Sequence, residues 1–134
     1  MKLEMTSLKN AVQSLKLALD EFKKTENIFV KDACIQRFEY TYELSHKMLR
    51  RQLKIMSANP AELDETSFQN LIREGSEKGL LLSGWDKWKR FRKERGTTSH
   101  AYDKEKANEV FSIIPAFYEE SKFLLEQIER HNEQ

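Results

Sequence analysis

The sequence predicts an all-α protein, an antiparallel up-and-down four-helix bundle with one short extra helix. Its 134 residues include only four Gly and two Pro, fewer turn residues than a β-sandwich or barrel needs, and 34% are charged. Apolar residues recur at steps of three and four along several long segments, which is the spacing of one helix face. The length suits one domain, so residues 1–134 are expected to fold around a single core.

The first helix is predicted over about residues 6–24, with Thr6 or Ser7 as its N-cap. Its apolar residues form one stripe along the helix. They are Leu8, Ala11, Val12, Leu15, Ala18, Leu19 and Phe22. We expect this stripe to pack against the other helices of the bundle.

The second helix is expected to begin near Ala33, because Asp32 belongs to the residue types that cap helices well. A seam of alternating three- and four-residue steps follows and suits nearly antiparallel packing. It consists of Ile35, Phe38, Tyr42, Ser45, Leu49, Gln52 and Met56. The helix is expected to end at Asn59-Pro60, since proline disfavours helical geometry in the residue before it.

A short extra helix is predicted around residues 68–72. Its candidate N-caps are Thr66 and Ser67. A glycine, either Gly75 or Gly79, is expected to end it.

The third bundle helix is expected to follow Gly84 and to run to about Glu94. Trp85, Trp88 and Phe91 are spaced three apart along it and therefore share a face. Aromatic residues at this spacing are typical of a core. The alternative is that they interleave with a cationic patch and stack on the bases of a nucleic acid.

Asp103 is expected to cap a final helix that carries another long apolar seam. The seam consists of Ala107, Val110, Ile114, Phe117, Ser121, Leu124 and Ile128. Pro115 lies within this helix and is expected to kink it without ending it, because the apolar spacing continues in phase on both sides. The polar tail after about Arg130 is expected to fray.

The composition excludes several classes of protein. A formal net charge of +1 gives no overall attraction to nucleic acid or membrane, and no apolar run approaches the roughly 20 residues of a membrane span. The single cysteine, Cys34, cannot form an intrachain disulfide and suits a reducing compartment. We therefore expect a cytoplasmic protein that does not bind membranes.

The familiar site motifs are absent from the sequence. It has no glycine-rich phosphate loop, no serine nucleophile elbow and no two-histidine metal motif. The three histidines, His46, His100 and His131, are scattered along the chain. We expect no metal and no other cofactor.

Basic residues are concentrated just before Arg95, and the only acidic residue among them is Glu94. The candidate RNA-binding residues are Lys89, Arg90, Arg92 and Lys93. A local cationic patch of this kind can attract a phosphate backbone. The alternative interpretation, a solvated helix face, explains the same residues without a ligand.

Arg95 and His100 are the candidate catalytic pair. Histidine can act near neutral pH as the base that deprotonates an RNA 2′-hydroxyl, or as the acid for the leaving oxygen. Arginine supplies a planar fork of donors to the developing phosphorane. The alternative is that His100 is a structural or surface histidine, and the pair alone is a weak motif.

On a continuous helix the side chains of Arg95 and His100 would diverge by roughly 140°. A break in the helix is therefore expected over Gly96-Thr97-Thr98-Ser99, because glycine tolerates turns and hydroxyl side chains satisfy free backbone groups. Two acids one turn apart on the second helix, Glu39 and Glu43, either pair with Arg95 or face water. Tyr102 is either a half-buried packing residue or a contact to substrate phosphate.

Three stretches resemble the HEPN family, in the branch known as nucleotidyltransferase substrate-binding proteins. They are Arg37-Phe38-Glu39-Tyr40-Thr41-Tyr42-Glu43-Leu44-Ser45, then Gly79-Leu80 with Trp85 and Trp88, and Arg95-Gly96-Thr97-Thr98-Ser99-His100-Ala101-Tyr102-Asp103. The last run matches the family pattern of arginine, four residues, histidine, one residue and tyrosine. The combination is far more specific than the arginine and histidine alone.

The resemblance implies a homodimer in which two copies of Arg95 and His100 line one cleft and act as a metal-independent endoribonuclease. It further implies a toxin that a cognate minimal nucleotidyltransferase antitoxin neutralises, in some systems by attaching AMP to the motif tyrosine, here Tyr102. An alternative interpretation of such proteins is a non-catalytic substrate-binding subunit of a two-component nucleotidyltransferase.

The chain departs from the family pattern directly after the motif arginine. Many members have a polar residue there, usually asparagine, whereas this chain has Gly96. The missing side-chain donor implies reduced or lost activity. His46 stands where relatives commonly have a bulky aromatic, a difference that concerns packing.

Overall fold

The structure is a computed structural model that describes residues 2–134. It contains α1 (Thr6–Thr25), α2 (Ile28–Met56), α3 (Glu62–Glu65), α4 (Phe68–Glu77), α5 (Trp85–Thr97) and α6 (Lys104–Asn132), with a 3₁₀ turn (Thr98–His100) between α5 and α6. Helices α1, α2, α5 and α6 pack together as the bundle. The predicted all-α bundle is confirmed, and the one-turn α3 is an element that the apolar spacing did not predict.

The predicted seams line one continuous core. Phe117 of α6 lies at its centre, with ring centroids 5.1 Å from Phe38, 5.8 Å from Trp88 and 5.2 Å from Phe91, all in edge-to-face geometry. These rings are buried, so Trp88 and Phe91 are core residues and cannot stack on bases. Trp85 is half-buried against Phe68 at 5.8 Å.

Two predicted N-caps are wrong. Helix α1 begins at Thr6 itself, after Met5, and the carboxylate of Glu4 accepts a hydrogen bond from the Thr6 amide at 2.9 Å. Helix α2 begins at Ile28, five residues before the predicted start, because the side chain of Asn27 accepts from the Phe29 amide at 2.7 Å.

Other predicted helix ends are confirmed. The hydroxyl of Ser67 caps α4 through the Asn70 amide at 3.2 Å. The carboxylate of Asp103 caps α6 through the Lys106 amide at 3.1 Å. Gly79 lies just beyond α4 with φ of 75°, a left-handed conformation that glycine adopts without strain. Pro115 lies inside α6, which continues to Asn132.

The expected break after Arg95 falls within the predicted stretch, between Thr97 and Thr98, although Gly96 itself stays helical. Helix α5 continues through Gly96 and ends at Thr97, beyond the predicted end at Glu94. A single helical glycine costs about 1 kcal/mol, which the packing of a bundle helix offsets. The hydroxyl of Thr98 donates to the Arg95 carbonyl at 2.7 Å, and the backbone tightens into the 3₁₀ turn.

Nowhere in residues 2–134 is a helix both long enough and apolar enough to cross a membrane.

Candidate functional site

Arg95, in the last turn of α5, is held against α2 by acidic side chains. Its Nε donates to Oε1 of Glu43 at 2.9 Å, and its Nη2 lies 3.7 Å from Oε1 of Glu39. Its Nη1 is 3.4 Å from the hydroxyl oxygen of Thr98. The side chain is 30% exposed, so part of it remains accessible to solvent.

Thr98 links this arginine to the turn that follows. Its hydroxyl donates to the Arg95 carbonyl while its oxygen accepts from the guanidinium, and the residue is buried. Glu39, Glu43 and Thr98 therefore fix the direction of the Arg95 side chain. Sequence reasoning left the two acids undecided; it expected the hydroxyl of Thr98 to satisfy a backbone group, which it does, but not to accept from Arg95. The signal for the acids was their four-residue spacing on the predicted second helix.

His100 ends the 3₁₀ turn and is exposed. Within residues 2–134 its imidazole has no hydrogen-bond partner. Its nearest aromatic neighbour is Tyr102, with ring centroids 6.2 Å apart. The Tyr102 side chain is 88% exposed, so the packing role considered for it is wrong.

The structure does not join the two candidate catalytic side chains within one chain. No hydrogen bond connects Arg95 to His100 among the described residues. Arg95 turns toward α2, while His100 lies in the solvent-exposed turn beyond Thr98. Within one chain, a phosphate would have to connect Arg95 to His100. In a dimer, a second copy of the chain would instead bring its own Arg95 or His100 close to the first.

The four candidate RNA-binding residues of α5 differ in the contacts that their side chains make. Nε of Arg90 donates to the buried carboxylate of Glu94 at 3.1 Å, and its Nη2 lies 3.4 Å from the Ser112 hydroxyl of α6. Lys89 and Lys93 are exposed. Arg90 is thus engaged in an ion pair with a buried acid, while half of its side chain stays exposed.

Arg92, by contrast, lies close to Arg95. The two are three residues apart and share a helix face. The guanidinium of Arg92 lies over the ring of Phe68 at 5.0 Å from its centroid, a cation–π contact. Arg92 and Arg95 line one cavity together with Tyr42, Glu43, His46, Phe68 and Gly96. This cavity presents two guanidinium groups to solvent.

Burial alters the titration of two side chains in this cavity. It raises the pKa of Tyr42 to about 12, an effect that the positive charge of Arg92 opposes. It lowers the pKa of His46, and the positive charge of Arg50 lowers it further. The ring of His46 packs edge-on against Phe68, with ring centroids 4.7 Å apart. His46 therefore makes an aromatic contact at the position where relatives commonly have a bulky aromatic residue.

Gly96 leaves open space at the mouth of the cavity. A Cβ atom built on it meets nothing within 4 Å. The backbone there can therefore carry a side chain, and the polar residue that many relatives have would fit. Because this chain has no polar side chain at position 96, Arg92 and Arg95 are the side-chain hydrogen-bond donors on the α5 side of the cavity.

The arrangement has the properties of an anion site. Two arginines share a cavity, and both acids next to Arg95 are already engaged with it. A phosphate can accept hydrogen bonds from each guanidinium. The nearby His100 is accessible to solvent and to substrate.

Comparisons with known proteins give three findings. Residues 3–130 match the family described as "Nucleotidyltransferase substrate binding protein like". A probable ribonuclease HepT from Haemophilus influenzae is 42% identical over 99 residues, which cover 74% of this chain and 67% of that protein. A solved structure from the same species, described as revealing the fold of a substrate binding domain of a nucleotidyltransferase, is similar with a TM-score of 0.86. It is 34% identical and the match covers 94% of this chain and 99% of that one.

Proposed function

Because this chain belongs to the nucleotidyltransferase substrate-binding branch of the HEPN family, we propose that it is a homodimeric, metal-independent endoribonuclease. A cognate minimal nucleotidyltransferase antitoxin neutralises it. The observation that carries the proposal is the partly exposed Arg95, oriented by Glu43 and followed by the exposed His100. The relative named as a probable ribonuclease supports the same activity.

In the proposed reaction the 2′-oxygen of a ribose forms a bond to the adjacent phosphorus while the bond to the 5′-oxygen breaks. His100 accepts the proton of the 2′-hydroxyl or donates a proton to the leaving 5′-oxygen. Arg95 donates hydrogen bonds to the non-bridging oxygens, whose negative charge grows in the phosphorane. In a dimer, Arg95 of one chain can act together with His100 of the other.

The test is cleavage of single-stranded RNA by the purified protein in excess chelator. We expect cleavage by the wild type and a loss of roughly 10² to 10⁴ in rate for His100→Ala, the usual contribution of a general acid or base. His131→Ala is the matched control, because His131 lies near the C-terminal end of α6 and has no assigned role. Unchanged cleavage by His100→Ala would remove this histidine from the mechanism.

A second candidate function is favoured by the exposure of Tyr102. With 88% of its side chain accessible, its hydroxyl can enter the active site of another enzyme. The chain would then be a substrate-binding subunit that presents a ligand, or this tyrosine, to a separate nucleotidyltransferase. The family description supports such a partner.

Mass spectrometry tests this second function. The protein is incubated with its cognate nucleotidyltransferase and ATP, and the added mass is measured. We expect addition of AMP to the wild type and none to Tyr102→Phe. Tyr40→Phe is the control, because Tyr40 is the other exposed tyrosine among the described residues. AMP on the Tyr102→Phe variant would exclude this acceptor.

A further inference from the structure

A second cationic surface lies on the C-terminal half of α2, away from the basic run of α5. It is a groove lined by Glu43, Leu44, His46, Lys47, Arg50, Arg51, Lys54 and Asp64. Four of these residues are basic and two are acidic. Because these four basic residues are spread over the eight positions from Lys47 to Lys54, they do not form a run as dense as that of α5.

Two of the four basic residues are engaged within the protein. Nζ of Lys54 donates to Oδ1 of Asp64 at 2.8 Å. The guanidinium of Arg50 donates to the backbone carbonyls of Leu63 and Thr66, and so fastens α3 to α2. These contacts fix the wall of the groove and leave it with little free negative charge.

The other two basic residues, Lys47 and Arg51, are exposed and have no ion pair among residues 2–134. They are four residues apart on α2, so their side chains project from the same face at neighbouring turns. Both acids of the groove already have partners, since Glu43 binds Arg95 and Asp64 binds Lys54. A positive charge therefore remains for an external anion.

The groove adjoins the cavity of the candidate site, since Glu43 and His46 line both. Arg92 and Arg95 line the cavity, and Lys47 and Arg51 line the groove next to it. Two neighbouring pairs of cations favour a polyanion with regularly spaced charges over an isolated small anion.

We propose that the groove on α2 binds the phosphates of a single-stranded RNA segment next to the one at Arg95, through Lys47 and Arg51. The assignment rests on the proposed ribonuclease function, but it concerns binding and not cleavage. It also differs from the sequence-based assignment, which put RNA on α5. Lys89 and Lys93 there have the same four-residue spacing and exposure, which makes them a matched comparison.

The test compares two double variants. The α2 variant carries Lys47→Gln and Arg51→Gln together, and the α5 variant carries Lys89→Gln and Lys93→Gln together. Each removes two exposed charges from one helix face. The probe is a single-stranded oligonucleotide with 2′-O-methyl riboses, which lacks the nucleophile and cannot be cleaved. Its dissociation constant is measured by fluorescence anisotropy over a range of salt concentrations.

We expect the α2 double variant to bind at least about tenfold more weakly and to lose about 1.4 from the slope of log K against log salt, because each phosphate contact to a single strand contributes about 0.7. The α5 double variant should stay within about twofold of the wild type. Equal losses in both variants, or a loss confined to the α5 variant, would overturn the proposal. An α2 variant that binds the oligonucleotide normally but no longer binds the nucleotidyltransferase would also overturn it, by identifying a protein as the occupant.

Cleavage is measured separately on unmodified RNA. If the wild type binds the oligonucleotide through Lys47 and Arg51 but cleaves no RNA, the ribonuclease function fails and the binding groove stands. If the wild type cleaves RNA and the α2 variant has an unchanged dissociation constant, the groove fails and the ribonuclease function stands.

Discussion

Arg95 is bound by carboxylates before any substrate arrives, and the geometry of these contacts separates two roles. The Nε contact to Glu43 at 2.9 Å is a hydrogen bond, whereas the Nη2 approach to Glu39 at 3.7 Å is only an ion pair. The two terminal nitrogens, the fork that grips a phosphate, are held only by longer contacts, Nη1 to Thr98 at 3.4 Å and Nη2 to Glu39 at 3.7 Å. We infer that Glu43 orients the arginine, while a phosphate displaces Glu39.

The first prediction concerns this difference. Glu43→Gln should lower the rate constant for RNA cleavage about tenfold, equivalent to about 1.4 kcal/mol of transition-state stabilisation, because the guanidinium loses its orienting charge. Glu39→Gln, the matched control one turn away, should change the rate less than threefold. Thermal unfolding should hardly change for either, since exposed ion pairs contribute about 0–1 kcal/mol. Equal rate losses in both variants would contradict the separate roles.

A second prediction concerns His46 and acid stability. Its pKa in the folded protein lies below the ordinary 6.5, mainly because of burial. As the pH falls below 6.5 the unfolded chain therefore binds a proton before the folded one, and the free energy of unfolding decreases. His46→Phe should reduce this decrease while keeping the edge-on contact with Phe68. Urea unfolding at pH 7.5 and at pH 5.5, with His100→Phe as the exposed control, measures it.

At the scale of single residues, the sequence named candidate side chains but did not determine their surroundings. Arg95, His100 and Tyr102 were identified from one motif. The pairing of Arg95 with Glu43 stayed undecided, because it joins residues 52 positions apart and depends on how α5 crosses α2. Arg90 was grouped with its basic neighbours, although its four-residue spacing from Glu94 on one helix already indicated this ion pair; only the burial of Glu94 depends on the fold.

At the scale of helices, two glycines give a third prediction. Both lie inside α-helices, Gly75 in α4 and Gly96 in α5. A Cβ at Gly96 meets nothing within 4 Å, whereas one at Gly75 lies 3.0 Å from the Cδ1 atoms of both Leu49 and Leu81. Gly96→Ala should stabilise the protein by about 0.5–1 kcal/mol, because alanine loses less backbone entropy in a helix.

Gly75→Ala should destabilise it by about 1 kcal/mol, since the cost of overpacking exceeds the gain in helix propensity. Denaturant unfolding of both variants at one protein concentration provides the measurement. A stabilised Gly75→Ala would mean that the leucine side chains move aside. A destabilised Gly96→Ala would mean that this glycine has a structural role that its open surroundings do not indicate.

Helix existence was predictable from the sequence, while several helix ends were not. Apolar periodicity identifies the long helices because burial of one face dominates their stability. Ends depend on single capping bonds, and residues 27 and 32 are both good capping types. Asn27 caps α2, so the chain turns immediately after α1. At Gly96 the packing of α5 prevailed over the low helix propensity of glycine.

At the scale of the whole molecule, α2 organises the proposed site. Its acids hold Arg95, its aromatic ring Tyr42 lines the adjacent cavity, and its basic residues Lys47 and Arg51 continue the surface. The bundle therefore places in two adjoining cavities residues that the sequence distributes over two helices. His100 is the exception, because it lies beyond Thr98 and, among the described residues, makes no hydrogen bond to Arg95.

This separation leads to the last prediction, which concerns the expected homodimer. If two copies of Arg95 and His100 line one cleft, a dimer of one Arg95→Ala chain and one His100→Ala chain retains one arginine and one histidine. The two variants are denatured, mixed and refolded together, which should place about half of the chains in mixed dimers. We expect this mixture to cleave RNA at least about tenfold faster than either variant refolded alone. The same rate in the mixture as in the separate variants would mean that each chain acts with its own pair, and the gap between Arg95 and His100 would then have to close within one protomer when RNA binds.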